Sequence, residues 1–332
     1  MPSPFPRRNW LQLTLASAAL LAAAAWPLAG QAQDWPAKPI RIIVPYAPGG
    51  FTDQMARLIQ PGLQQALGTP VVVDNRPGGN SLIGVGEMAR AAPDGYTFAV
   101  VIAAYAANTS LYDKLPYDPA NSIAGVSLLG ISPLVAGVGK NAPYQTLPAV
   151  LEYAKAHPGE LSYGSSGNGS SVHLTTELLK LRTGVDMVHV PYKGAALALA
   201  DLMGGHIQLA LDAPTTLIEQ SGPKGRVQLI GVAGPTRLPA IPDVPTFAEQ
   251  GIEGADGSTW AALIAPKGVP PEIMNKVSQV AAEIVQSEAA QATLQRMGTF
   301  PEGRNPAQTD AFIADETAKW AQVIQQANIR LD

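Results

Sequence analysis

Three short segments hold the residues whose types and spacing suit the capture of a small ligand. In Pro48-Gly49-Gly50-Phe51-Thr52-Asp53, two glycines precede an apolar periodic run. Without Cβ atoms their backbone lets a ligand approach closely. Asp53 reads two ways: as an acceptor for a ligand amine or bridging water, or as a first-turn acid stabilised by the helix dipole. In Asn75-Arg76-Pro77-Gly78-Gly79-Asn80-Ser81, Arg76 either pairs with an acid or ties neighbouring loops together. The densest signal is Gly164-Ser165-Ser166-Gly167-Asn168-Gly169-Ser170-Ser171-Val172-His173. Hydroxyls and backbone N–H groups concentrated ahead of a helix suit an anion, because the first N–H groups of a helix lack intrahelical partners and carry partial positive charge.

Other chemistries fit less well. The third segment lacks the Lys-Ser/Thr ending of a phosphate loop and is not a Gly-x-Ser-x-Gly elbow. A triad of a loop serine, His173 and Asp212 can be written down. However, His173 falls in the first helical turns after those serines, and that spacing is no evidence for a nucleophile–base pair. The four histidines, His157, His173, His189 and His206, form no His-x-x-x-His pair, so no metal site is expected. The absence of cysteine excludes disulfides, thiolate ligands and a thiol nucleophile. A net charge of −4 with 14% charged residues gives no basic footprint for nucleic acid. Lys193 offers a cation to an acid or is a solvated helix-start residue. The expectation is therefore a binding protein with no catalytic residue and no cofactor.

The elements that position these segments alternate. The β-branched run Ile40–Val44 precedes the first loop, and a helix capped by Thr52, kinked at Pro61, follows. Strands at 71–73 and 96–102 flank a helix beginning near Asn80 or Ser81. The rhythm recurs with a helix at 146–157, a strand at 161–163, helix 172–183 behind the Gly/Ser loop, strand 185–190 and helix 195–203. Strands at 207–211 and 227–232 and two long amphipathic helices near 270–296 and 306–328 complete the pattern. Such alternation argues for mostly parallel sheets with helices on both faces. Val126–Val138 and Trp260–Pro266, apolar and far apart in sequence, read as paired crossover strands between two lobes, 35–132 plus 262–332 and 133–261. Arg7-Arg8, the apolar stretch Leu11–Leu28 and Gly30-Gln31-Ala32 read as a secretory signal over residues 1–32.

The ordered motifs Ile40–Pro45, Pro48-Gly49-Gly50 with Asp53, Asn75–Gly78, Pro93–Thr97, Leu115–Asp118, Tyr163–Ser165, Gly169-Ser170 with His173, His189–Gly194 and Asp201–Gly205 together resemble the tripartite tricarboxylate transporter receptors, the Bug-type solute-binding proteins. The resemblance runs from about Trp35 to the C-terminus. It implies the type II periplasmic-binding-protein fold: two α/β lobes, two crossover strands and a ligand cleft between the lobes. It also implies a periplasmic, monomeric receptor for a small organic acid, serving a membrane permease or a sensor kinase. Carried over by position, the ligand-binding residues are Tyr46, Ala47, Gly49, Gly50, Thr52 and Asp53, facing Ser165, Ser166, Gly169, Ser170, His173, Lys193 and Asp212. Two departures add Asn80, Ala104 and Tyr105. Relatives often carry glycine in the second loop, and hydroxyl residues where Ala103-Ala104-Tyr105 stand. The exchange suggests an aromatic surface and a ligand with one carboxylate and an apolar or aromatic body.

Overall fold

The computed structural model describes residues 35–331, and the expected signal segment 1–32 lies outside the described residues. The chain lays down β1 (Ile40–Val44), α1 (Phe51–Leu67), β2 (Val71–Asn75), α2 (Leu82–Ala89), β3 (Thr97–Val101), α3 (Ala103–Leu111), the short α4 (Pro119–Ser122) and the long β4 (Ile123–Pro133). It crosses at Leu134 into β5 (Val135–Gly139), α5 (Leu147–Ala156), β6 (Ser162–Ser165), α6 (Ser171–Thr183), β7 (Val188–Pro191), α7 (Ala195–Gly204), β8 (Leu209–Asp212), α8 (Pro214–Ile218) and β9 (Val227–Val232). It returns through β10 (Ser258–Pro266), α9 (Pro271–Val285), α10 (Glu288–Arg296), β11 (Phe300–Arg304) and α11 (Pro306–Gln326).

Two sheets result, a six-stranded one ordered β11-β4-β10-β3-β1-β2 and a five-stranded one ordered β7-β6-β8-β5-β9. Each contains a parallel trio, β2-β1-β3 and β7-β6-β8. The crossover strands run antiparallel to their neighbours, so the sheets are mixed rather than mostly parallel. β10 pairs with β4 from Ser258↔Pro133 to Pro266↔Ile123. β4 and β5 follow one another across Leu134 but belong to different sheets. These are the two α/β lobes and paired crossovers of the type II periplasmic-binding-protein fold.

Burial accounts for the strand choice. Ile42, Ile43 and Val44 are enclosed on both sides of β1, which suits β-branched residues in a sheet covered by helices. In the core of the six-stranded sheet, Trp260 and Trp320 are fully buried, and both indole N–H groups donate to Glu316 Oε2 at 2.9 Å. Leu174 and Leu178 of α6 join this core, while Tyr163, Leu209 and Phe247 lie in the core of the other sheet. Local expectations shift by a turn or less. α1 starts at Phe51 with Gly50, not Thr52, as its cap residue, and it runs through Pro61. The pattern near 270–296 divides into α9 and α10 because the Ser287 hydroxyl accepts the Ala290 N–H and starts a new helix.

Candidate functional site

The first loop follows β1 and is shaped from below by Asp53. Its carboxylate accepts the Gly49 N–H at 2.9 Å, Arg57 Nε at 2.9 Å and Asn75 Nδ2 at 3.0 Å. Burial alone would raise this group. The bonds from Arg57, Gly49 and Asn75 instead hold it below the usual carboxylate range. Asn75 Nδ2 also reaches the Tyr46 carbonyl at 3.1 Å, so Asp53 and Asn75 lock the first two loops together. Thr52 and Asp53 are buried, whereas Ala47, Gly49 and Gly50 are exposed. The Tyr46 hydroxyl is enclosed near Ser81, and burial pushes it far up. Arg76 pairs with Asp74 of β2 at 3.1 Å and with Glu87 of α2 at 3.8 Å, which ties its loop to the flanking strand and helix rather than to a neighbouring loop.

Neither Asn80 nor Tyr105 lines the cavity where the two sets of loops meet. Asn80 Nδ2 donates to Asn108 Oδ1 at 2.8 Å, and Asn108 Nδ2 returns a bond to the Asn80 carbonyl at 2.8 Å. Ala104 and Tyr105 begin α3 and are buried, with the Tyr105 ring stacked on Tyr117 at 6.3 Å. The anticipated aromatic surface is thus turned into the first-lobe core. An apolar ring gains more from that packing than from lining a wet cleft.

In the second lobe the Gly/Ser loop is braced by a row of rings. Ser165 is 1% exposed, and its Oγ lies 2.7 Å from His189 Nε2 and 3.2 Å from the Gly167 N–H it accepts. His173 Nδ1 accepts the Gly169 N–H at 3.1 Å, so that nitrogen carries no proton. The two imidazoles stack, and Tyr163 stacks on His189 at 4.9 Å. Burial first, then the Lys180 ammonium, pushes His173 down to about 4; burial, then His173, brings His189 to about 4. Ser170 caps α6 by accepting the His173 N–H at 3.3 Å. Gly169, with φ +74°, lies against Leu111 and Asn80 of the first lobe. Ser165 is paired with His189, not His173. Enclosed as it is, and absent from the cleft lining, it is poorly placed as a nucleophile.

A cavity of about 570 Å³ lies where the two sets of loops meet. Gly49 and Gly50 line it from the first lobe, and Ser166, Ser171 and Asp212 from the second. Asp212 ends β8; its Oδ1 accepts the Ala213 N–H at 2.7 Å and the Thr216 hydroxyl at 3.4 Å. Burial pushes this carboxyl up to about 7. Exposed Lys193 does not line the cavity. Phe51 of the first segment lines it, as do Ile102, Ile218, Thr293, Arg296 and Met297, which no sequence motif marked. Cavities of about 740 and 610 Å³ are larger, but first-lobe residues line both. Of these three cavities among the described residues, the 570 Å³ space is the one that collects the carboxyl ends of strands from both sheets, where ligands bind in open α/β folds.

The model of the family described as "Tripartite tricarboxylate transporter family receptor" matches residues 55–329. The chain belongs to this family. Its members are substrate-binding receptors, and the motif resemblance read from the sequence is shown by this match. BugT of Bordetella pertussis is 37% identical over 302 residues, covering 90% of this chain and 92% of BugT. Among solved structures, a periplasmic transporter aligns with a TM-score of 0.82 at 38% identity, covering 90% of this chain and all of that one. An R. palustris protein with adipate aligns at 0.83 and 34% identity over 90% of this chain and all of its own. MatC from Rhodopseudomonas palustris with bound malate aligns at 0.78 and 29%, covering 87% of this chain and all of MatC. Among the described residues, no helix is long and apolar enough to cross a membrane.

Proposed function

We propose that the chain is a periplasmic, monomeric solute-binding receptor that captures a small organic acid by hinge closure and delivers it to a membrane permease. Residues 1–32 would direct export. The lobes would be 35–132 with 262–332, and 133–261. The observation that carries this reading is the cavity where Gly49 and Gly50 of one lobe face Ser166 and Ser171 of the other. Backbone amides and hydroxyls converge there without an ordered set of catalytic groups, and each hydrogen bond to the acid contributes about 0.5–1.5 kcal/mol. A ligand touching both lobes favours the closed form by its differential affinity.

In this proposal Gly49, Gly50, Ser166 and Asp212 contact the acid. Tyr46, Ala47, Thr52, Asp53, Asn80, Ser165, Gly169, Ser170 and His173 hold their loops in place. Ala104 and Tyr105 act only as backing, and Lys193 adds positive charge near the mouth. Phe51, Ile102, Leu134, Val172, Ile218 and Met297 support an apolar body for the ligand, in place of the surface expected from Tyr105. Relatives with adipate and malate bound are consistent with a carboxylate ligand.

The test is a thermal-shift screen of the mature protein against small organic acids, run beside an ester-hydrolysis assay. A saturable rise in Tm with at least one acid and no turnover is expected. Ester turnover lost on replacing Ser165 would contradict the receptor reading.

A further inference from the structure

We infer that Arg296 is a specificity-determining residue that selects acids carrying a second negative group. The inference rests on the carboxylate-receptor reading and adds the chemistry of the far end of the ligand. Arg296 is the last residue of α10 and the one cationic side chain among the described residues lining the cleft. Its guanidinium donates to Thr293 Oγ1 at 3.0 Å, and among the described residues no carboxylate pairs with it. It is exposed and carries donors in a planar fork suited to two-point binding of a carboxylate.

Sheet order puts this charge away from the loop amides. Gly49 and Gly50 follow β1. Arg296 precedes β11, and β3, β10 and β4 lie between those strands. Neighbouring strands are about 4.8 Å apart, so the two polar groups enter the cleft from separate ends. Ile102, which follows β3, Thr259 of β10, and Leu134, at the crossover, line the cleft between them. The sequence of surfaces is amides and hydroxyls, then a mainly hydrocarbon stretch interrupted by one threonine, then guanidinium. An acid with one carboxylate fills the first two and leaves Arg296 to water. A dicarboxylate with a hydrocarbon spacer fills all three. Glu219 and Asp212, on the facing lobe, line the same cleft, and burial keeps Asp212 largely neutral below about pH 7. A dianion therefore depends on Arg296 chiefly to offset repulsion from Glu219.

Calorimetry on the mature protein tests this with straight-chain dicarboxylates of about four to nine carbons, each paired with the monocarboxylate of equal length. For the best-bound length, the wild type should prefer the dicarboxylate by about tenfold or more, the effect of charge-assisted hydrogen bonds. Arg296→Gln should remove most of that preference, leaving monocarboxylate affinity within about twofold and Tm unchanged, because the side chain is exposed. Arg296→Lys keeps the charge and should retain part of the preference. A preference absent from the wild type, or intact in Arg296→Gln, overturns the role of Arg296 while leaving the receptor reading in place. Failure of every acid in both series to bind the wild type overturns both.

Discussion

His173 and His189 stack face to face, with ring centroids 3.9 Å apart and planes 8° from parallel. One ring comes from α6 and the other from β7, and each holds an end of the same loop. His173 takes the Gly169 N–H, and His189 meets the Ser165 hydroxyl. Two imidazolium charges at that distance repel strongly, so a neutral pair favours the shape of this loop. Burial of both rings enforces this at neutral pH.

A pH dependence of stability follows. Both groups sit at about 4 in the folded protein and at about 6.5 in an unfolded chain. Below 6.5 the unfolded state binds protons that the folded state refuses. The contribution is therefore complete above pH 6.5 and is lost as pH falls from 6.5 to 4. Urea unfolding between pH 7.5 and 4 should show this decline, and His173→Asn with His189→Asn should flatten it. A profile equally steep in the double variant would count against the stacked pair as its source.

Asp212 acts with the opposite sign. Its folded value is raised to about 7, so it favours folding below its unfolded value near 4 and loses that contribution as pH rises through 7. Asp212→Asn keeps the acceptor for Ala213 and Thr216 and removes a buried charge. The variant should be more stable than wild type at pH 8, by on the order of 2 kcal/mol, with little difference at pH 5. Denaturant unfolding at the two pH values checks this.

Neighbouring serines should separate. Ser166 lines the cleft, whereas Ser165 is enclosed against His189. Ser166→Ala should weaken acid binding by about tenfold or more with Tm nearly unchanged, the loss of one hydrogen bond to an anion. Ser165→Ala should lower Tm by leaving the Gly167 N–H without its acceptor. Calorimetry and thermal melts on the two variants read the two effects independently.

Gly169 tests the closure. A Cβ there would enter contact distance of Leu111 on the other lobe, in a left-handed conformation that already disfavours side chains. Gly169→Ala should weaken ligand binding and expand the protein in small-angle scattering with saturating acid. Unchanged affinity and radius would argue that the lobes do not close across this contact.

The loops and crossovers were legible in the sequence because their signals are local. Gly49 and Gly50 sit between a β-branched run and a helix, and Ser166 stands in a glycine- and hydroxyl-rich run between a strand and a helix. β4 and β10 are apolar runs without helical periodicity. Tyr105 was not legible: whether a ring at a strand end faces the cleft or the core depends on Tyr117, twelve residues on. Arg296 and Ile218 were missed for a related reason. They end α10 and α8 rather than lying in a glycine-rich loop; the crossover at Leu134 carries the chain to Ile218 and its return through β10 carries it to Arg296, and only then do both line the cleft that Gly49 lines. Asp53 carried a readable charge, but its three donors come from two loops and a helix turn.

The most direct measurement is a crystal structure of the mature protein with its tightest-binding acid. The prediction is a carboxylate within hydrogen-bonding distance of the Gly50 amide and the Ser166 hydroxyl, with both lobes in contact with the ligand, while the Gly49 N–H stays on Asp53. An acid seated instead in the cavity beside Tyr105 and Lys267, with the space between the lobes unused, would contradict it.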